Sequence, residues 1–223
     1  MRMLIRFGKR DRLRFISHLD LQRFFQRALN RTGLPIAFSQ GFNPHPVMSF
    51  GSALAMGWTS EYEIVDVKLA VPMGRKRAED AMRAALPEDL PVLQVKLIDD
   101  KHPAPMAQVK LADYRIQLPE DAREAIIAAL PGFLAEETVM ALRKTKSGEK
   151  PVNIRPLAID VHAEGEALFA RLMLTERDTL KPDLLINTLA GRAGIAPPEE
   201  VRIHRLCLWG EDNEGNLKEL MDL

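Results

Sequence analysis

The chain has 223 residues, of which 46% are hydrophobic and 28% are charged, and its formal net charge is zero. This composition is typical of a folded protein of one or two domains and excludes a disordered or low-complexity chain. No apolar run approaches the roughly 20 residues that a membrane helix needs, and charges interrupt the N-terminal segment where a signal peptide would be apolar. We therefore expect a cytoplasmic protein without a membrane partner.

Positive charge is concentrated at the start of the chain. Residues 1–50 contain nine Arg and Lys against two Asp, a local charge of +7, so the other 173 residues carry −7. Almost all of the excess is arginine, whose planar guanidinium suits phosphates and base edges better than a lysine amine does. The asymmetry favours a surface that faces a polyanion, and the plain alternative is a solvated helix face.

The first half of the chain is predicted to follow the order β-α-β-β-α-β, from its apolar spacing and its turn-forming residues. Extended segments are expected at residues 2–8, 12–16, 36–39, 47–54, 61–71 and 92–98, and helices at 17–32 and 77–86. Ser17 is expected to cap the first helix with Asp20 in its first turn, and Gly33 to end it before Pro35. This order predicts the α+β class, with an antiparallel, ferredoxin-like domain over residues 1–100.

The second half repeats the order of elements, but not the residues, after a polar, proline-containing linker at 99–105. Strands are expected at 108–118, 139–144, 153–163, 167–175 and 201–209, helices at 119–130 and 181–193, and a turn at 146–151. We therefore predict a second antiparallel ferredoxin-like domain over residues 106–223, with an extra strand.

Three arginines of the first helix point to nucleic-acid binding. Arg23, Arg27 and Arg31 are spaced by four residues, so their guanidiniums follow one another at intervals of about 6 Å along one face. Such a row matches successive phosphates and would give affinity that falls with salt and carries no sequence information. The alternative is simple solvation, with an ion pair between Asp20 and Arg23.

The segment 39–46 reads Ser-Gln-Gly-Phe-Asn-Pro-His-Pro and is predicted to be a rigid loop. Gly41 permits a positive φ and the two prolines restrict the backbone around His45. An aromatic ring beside an amide is a common way to hold an RNA base, so Phe42, Asn43 and His45 are candidates. The alternative is that Phe42 anchors the loop in the core, which makes Asn43 and His45 the better candidates.

The two histidines His18 and His45 also suggest acid–base catalysis. A pair of imidazoles beside arginines is sufficient for metal-independent RNA cleavage. However, His18 is expected in the first turn of a helix, where the helix dipole disfavours its charged form. A metal site of His18, Asp20 and His45 is chemically possible, but this spacing is a weak signal, and we predict neither a metal nor a cofactor.

The second half offers a basic turn at 143–150, followed by Asn153 and Arg155. Lys146 and Arg155 are candidates to clamp a phosphate backbone, and a solvated turn is the open alternative. The single cysteine, Cys207, alternates with polar residues and is expected to be a buried small side chain. The chain has no P-loop, G-x-G-x-x-G, G-x-S-x-G or H-E-x-x-H motif, so an ATPase, a dehydrogenase or a common hydrolase is poorly supported.

The run from Arg14 to Leu29, with Gly33-Leu-Pro35 and the 39–46 segment, resembles the radical-SAM-linked (radical-SAM-associated) proteins, a domain of unknown function. The resemblance is strong over about residues 1–70 and continues more weakly through 148–155 to the end of the chain. In that family the domain occurs alone, beside a gene for a cobalamin-binding radical-SAM protein, or fused to the C-terminus of that protein, which implies an accessory role. This chain lacks the three-cysteine motif of such enzymes. By architecture it is also distantly similar to the CRISPR repeat-processing endoribonucleases.

The residues and the resemblance together lead us to expect a non-catalytic RNA-binding protein that acts with a radical-SAM enzyme in RNA modification. The alternatives are a metal-independent endoribonuclease and a protein-interaction subunit that does not contact RNA. DNA is not expected as a partner.

Overall fold

A computed structural model describes residues 1–145 and 148–223, and these residues form a mixed α+β fold with mostly antiparallel sheet and five α-helices. The chain divides into two compact units, one of residues 1–109 and 207–223 and one of residues 110–206. The boundaries expected from the sequence differ at the end of the chain, because residues 207–223 return to the first unit. Within the described residues, no helix has the length and apolarity to span a membrane.

The elements follow one another in chain order. In the first unit they are β1 (Arg2–Lys9), α1 (His18–Arg31), β2 (Met48–Phe50), β3 (Thr59–Lys68), α2 (Arg75–Ala85), β4 (Val92–Ile98) and α3 (Pro105–Gln108). The second unit contains β5 (Leu111–Gln117), α4 (Glu120–Ala135), β6 (Met140–Thr145), β7 (Gly148–Asn153), β8 (Ala158–Glu164), β9 (Ala167–Met173) and α5 (Pro182–Arg192). Strand β10 (Arg202–Glu211) has its first half in the second unit and its second half, with β11 (Leu217–Glu219), in the first.

The sheet of the first unit has the strand order β4-β1-β3, and β2 pairs with β3, with every one of these pairings antiparallel. Alternate residues of β1 pack against α1, where the ring centroids of Phe7 and Phe25 are 4.7 Å apart and those of Phe25 and Phe50 are 5.5 Å apart. These buried rings anchor α1 to the sheet, because large apolar side chains gain most from leaving water.

Three predicted extended segments of the first unit are wrong in detail. Residues Asp11–Phe15 form a 3-10 helix instead of a strand. The 36–39 segment makes only isolated bridges, Ile36 to Leu69 and Phe38 to Pro46, and the predicted strand 47–54 shrinks to β2. Pro35, Pro44 and Pro46 flank the last two segments and lack the N–H that a continuous ladder needs.

The second unit has the strand order β5-β9-β8 in antiparallel pairing, and β10 pairs with β5. Strands β6 and β7 form a separate two-stranded hairpin. The predicted turn at 146–151 and strand at 153–163 are therefore wrong in their bounds: β7 begins at Gly148, and a 3-10 turn over Arg155–Leu157 precedes β8. This stretch is basic and contains a proline, so the sequence did not indicate a strand there. Proline is tolerated in β7 because it is an edge strand, with no pairing strand on one of its sides.

Candidate functional site

Helix α1 is fixed at both ends by local hydrogen bonds, as the sequence predicts. The Ser17 hydroxyl oxygen accepts the N–H of Asp20 at 3.1 Å, and the hydroxyl donates to the Asp20 carboxylate at 2.7 Å. At the other end Gly33 has a φ of 65°, the left-handed conformation that favours glycine after a helix. The buried stripe of α1 faces the core, and this sets the rotation that leaves Arg23 and Arg27 exposed.

The 39–46 loop is closed by a clasp between Ser39 and His45. The N–H of Ser39 donates to the carbonyl of His45 at 2.9 Å, and the N–H of His45 donates to the Ser39 hydroxyl oxygen at 3.2 Å. His45 Nδ1 lies 3.0 Å from the same hydroxyl and 3.3 Å from the carbonyl oxygen of Asn43. The clasp engages one edge of the imidazole, while Nε2 contacts no hydrogen-bond partner among the described residues.

Helix α1 and this loop enclose an open groove of about 440 Å³, which we call the α1 groove. It is lined by Arg23, Gln26, Arg27, Asn30, Asn43, Pro44, His45 and Pro46. Four of the residues that the sequence singles out, Arg23, Arg27, Asn43 and His45, are therefore brought together at one place. All of the lining residues belong to the first unit.

The α1 groove is positively charged and rich in amides. Arg27 makes no ion pair or hydrogen bond to any described residue, and Arg23 makes an exposed ion pair with Asp20 at 3.3 Å, a kind that contributes little. Gln26 and Asn30 form a second row, parallel to the arginine row and also spaced by four residues. None of the described residues that line the groove is Asp or Glu. The groove is suited to a ligand that carries a negative charge and also has groups that donate and accept hydrogen bonds.

Phe42 is fully exposed at the tip of the loop. The alternative that Phe42 anchors the loop in the core is therefore wrong. The loop is held by the clasp between Ser39 and His45 and by buried Pro46, so the ring is not needed for its structure.

Two predicted residues lie outside the α1 groove. Arg31 reaches the carbonyl oxygen of Ala85, the last residue of α2, at 3.4 Å, which shortens the expected row of three arginines to two. His18 is half-buried, with its ring edge-on to the buried ring of Phe50 at 5.1 Å between centroids. The two histidines are therefore not part of one pocket.

The candidates of the second unit have other surroundings. Arg155 donates from Nε and Nη2 to the carbonyl oxygen of Leu134, each at 3.3 Å, and from Nη1 to that of Ala158 at 3.0 Å. Leu134 lies in the last turn of α4, whose carbonyls lack partners within the helix, so Arg155 caps that helix. Lys146 lies outside the described residues. Cys207 is buried, as predicted.

The chemistry available in the α1 groove is binding more than catalysis. Metal-independent cleavage of RNA needs one group to remove a proton and another to return one. Of the described residues lining the groove, one is a histidine, His45, and none is Asp or Glu, so the groove does not provide this pair of groups. Across the described part of the chain, no three His, Cys, Asp or Glu side chains cluster in a way that suits a metal ion.

Gln26 and Asn30 line the groove but are not among the candidates predicted from the sequence, which on α1 were the arginines and His18. The signal was present in the spacing. Gln26 is three residues after Arg23, and Asn30 is three after Arg27, which places both amides beside the arginine row on a helix.

The chain was compared with protein families and with curated proteins. The model of a family described as uncharacterized protein conserved in bacteria (DUF2344) matches residues 2–182. No curated protein matches the chain.

Proposed function

We propose that this chain, which belongs to the bacterial family of uncharacterized proteins DUF2344, is a non-catalytic RNA-binding protein. The proposal rests on its α1 groove. The observation that carries the proposal is the convergence of Arg23, Arg27, Asn43 and His45 on one groove. Arginine donors bind phosphate oxygens, and an amide beside an imidazole offers both donors and acceptors to a base or a ribose. The protein is proposed to act in the cytoplasm.

The proposed partner is a cobalamin-binding radical-SAM enzyme that modifies RNA. The support is the resemblance of residues 14–46 to radical-SAM-linked proteins. A chain with a single, buried cysteine cannot supply the three thiolates of such a cluster, so the catalytic step belongs to the partner. In this proposal the chain binds the RNA on which the partner enzyme acts.

We also propose that each unit is ferredoxin-like. The order β4-β1-β3, with β2 paired to β3, is the arrangement that a split βαβ motif gives. The order β10-β5-β9-β8 has the same form, with the β6–β7 hairpin as an insertion. This proposal supports the architectural similarity to the CRISPR repeat-processing endoribonucleases but transfers no cleavage residue.

RNA affinity of a matched pair of double variants tests the function. Arg23→Ala with Arg27→Ala removes both guanidiniums of the α1 groove, whereas Arg31→Ala with Arg77→Ala removes the same charge elsewhere on the first unit. At low salt, fluorescence anisotropy with labelled total tRNA should show that the first variant loses more than about tenfold in RNA affinity. The slope of its log affinity against log salt concentration should become shallower by about 0.7 per lost phosphate contact. The control should bind almost as wild type does.

The remaining functions are outcomes of the same experiment. Equal affinity of the two double variants contradicts the proposal. Wild-type protein that does not bind RNA but co-purifies with the radical-SAM enzyme after nuclease treatment identifies a protein-interaction subunit. RNA cut in EDTA by wild type and not by His45→Ala identifies a ribonuclease.

A further inference from the structure

We infer that the α1 groove takes an unpaired nucleotide, whose base stacks on Phe42 and whose edge is read by the amides of Gln26, Asn30 and Asn43. The inference rests on the proposed RNA-binding function and goes further, since it names single-stranded or looped RNA as the ligand class and excludes a duplex as the preferred one. It adds three residues, Gln26, Asn30 and Phe42, to the site.

The shape of the α1 groove favours a single nucleotide. Its volume of about 440 Å³ lies in the range of pockets that enclose a small molecule. A-form RNA buries its base edges in a deep and narrow major groove that side chains do not read, whereas an unpaired base swings out and enters a concave site. A contact with duplex backbone alone would need a row of cations on an open surface, and the structure turns Arg31 away from that row.

The groove also contains more polar functions than a phosphate needs. Arginine only donates hydrogen bonds, and two arginines satisfy a phosphate. Each of the three amides both donates and accepts, as the edge of a base does. The side chains of Gln26, Asn30 and Asn43 form no hydrogen bond to any described residue, so their groups are available to a ligand.

The loop that supplies Asn43 also presents exposed aromatic side chains. Phe42 is fully exposed and precedes Asn43, and Phe38, at the base of the same loop, is 46% exposed. Two phenyl rings on one clasped loop contrast with the isolated exposed side chains that are normal on protein surfaces. Flat rings beside a positively charged groove are the usual platform for unpaired bases.

The test compares the full-length protein on three labelled RNAs of equal length: oligoadenylate, oligouridylate and a blunt-ended duplex. Wild type should bind at least one single strand more tightly than the duplex at equal salt. Phe42→Ala should weaken single-strand binding about tenfold, the effect of one lost stacking contact, and leave duplex binding unchanged. Gln26→Ala with Asn30→Ala should reduce the difference between oligoadenylate and oligouridylate.

Matched controls use the same residue types elsewhere in the first unit. Phe15 is 60% exposed and does not line the α1 groove, and Gln22 lies on α1 outside it; Phe15→Ala and Gln22→Ala should change neither affinity nor base preference. Circular dichroism of each variant checks that it is folded.

The outcomes separate this inference from the proposed function. Equal binding of single strand and duplex, with Phe42→Ala like wild type but Arg23 and Arg27 still required, overturns the inference and leaves the RNA-binding function standing. Failure of wild type to bind any of these three RNAs or total tRNA overturns both.

Discussion

The guanidinium of Arg27 in the first unit and that of Arg155 in the second have opposite surroundings. Arg27 extends into an open groove and pairs with no described residue, whereas Arg155 donates to two backbone carbonyls that need a partner. A buried or half-buried carbonyl without a donor costs free energy, so the second arginine stabilises the fold. The difference shows that an arginine is available for a ligand only where the backbone around it is already satisfied.

The largest expected effect is on stability in the second unit. Arg155→Ala removes three hydrogen bonds and should lower the free energy of unfolding by about 3 kcal/mol, since bonds to a charged group contribute about 1.5–3 kcal/mol each and act together here. Urea denaturation measures this, with the exposed Arg177→Ala as control. An Arg155→Ala protein as stable as wild type, but with lost RNA affinity, would break the comparison.

The next effect is on binding in the first unit. Arg27→Ala should weaken RNA binding about tenfold, or about 1.4 kcal/mol, while the unfolding free energy stays within about 0.5 kcal/mol of wild type, as is usual for an exposed side chain. Anisotropy titration and urea denaturation of the same preparation provide both numbers. A marked loss of stability would mean that Arg27, like Arg155, stabilises the fold.

A smaller effect is expected from the clasp of the 39–46 loop. Ser39→Ala removes the hydroxyl that accepts the His45 N–H and contacts Nδ1, a loss of about 1 kcal/mol. Because this bond positions a binding group, we expect it as a roughly fivefold loss of RNA affinity. Ser49→Ala is the control, at an exposed serine of β2 in the same unit that does not line the α1 groove. Unchanged affinity would show that the prolines alone hold the loop.

The smallest effect concerns a third kind of arginine, which pairs with a carboxylate. Arg192 of α5 bonds to Glu136 at the end of α4, and this contact holds the pKa of Glu136 below its ordinary value of 4.5. A carboxyl whose pKa is lowered in the folded state stabilises the fold above its ordinary pKa, and the contribution fades as pH falls through the folded pKa.

Denaturation of Glu136→Gln at several pH values measures this contribution. The variant should be slightly less stable than wild type at neutral pH and equal to it in acid. The deficit of Arg155→Ala should persist in acid, because carbonyls do not titrate. A deficit of Glu136→Gln that does not change with pH would show that packing, and not the charge of Glu136, is responsible.

The sequence was sufficient for the elements that depend on local chemistry. Helix α1 falls within one residue of its predicted bounds, because Ser17 and Gly33 act through contacts a few residues away. From the sequence, the placement of Arg27 beside Asn43 and His45 could only be a hypothesis, because it depends on how the 39–46 loop folds back on α1. The role of Arg155 was beyond reach, because its acceptor Leu134 lies 21 residues earlier in the chain.

The divided first unit has a consequence for biosynthesis. The Tyr62 hydroxyl accepts the N–H of Met221 at 3.1 Å, and the Lys96 amine donates to the carbonyl oxygens of Met221 and Leu223 at 2.9 and 2.6 Å. Residues 1–109 are translated before the segment 207–223 that completes their packing, and the whole second unit is translated between them. The unit that contains the α1 groove therefore reaches its full packing only after residues 207–223 have been translated.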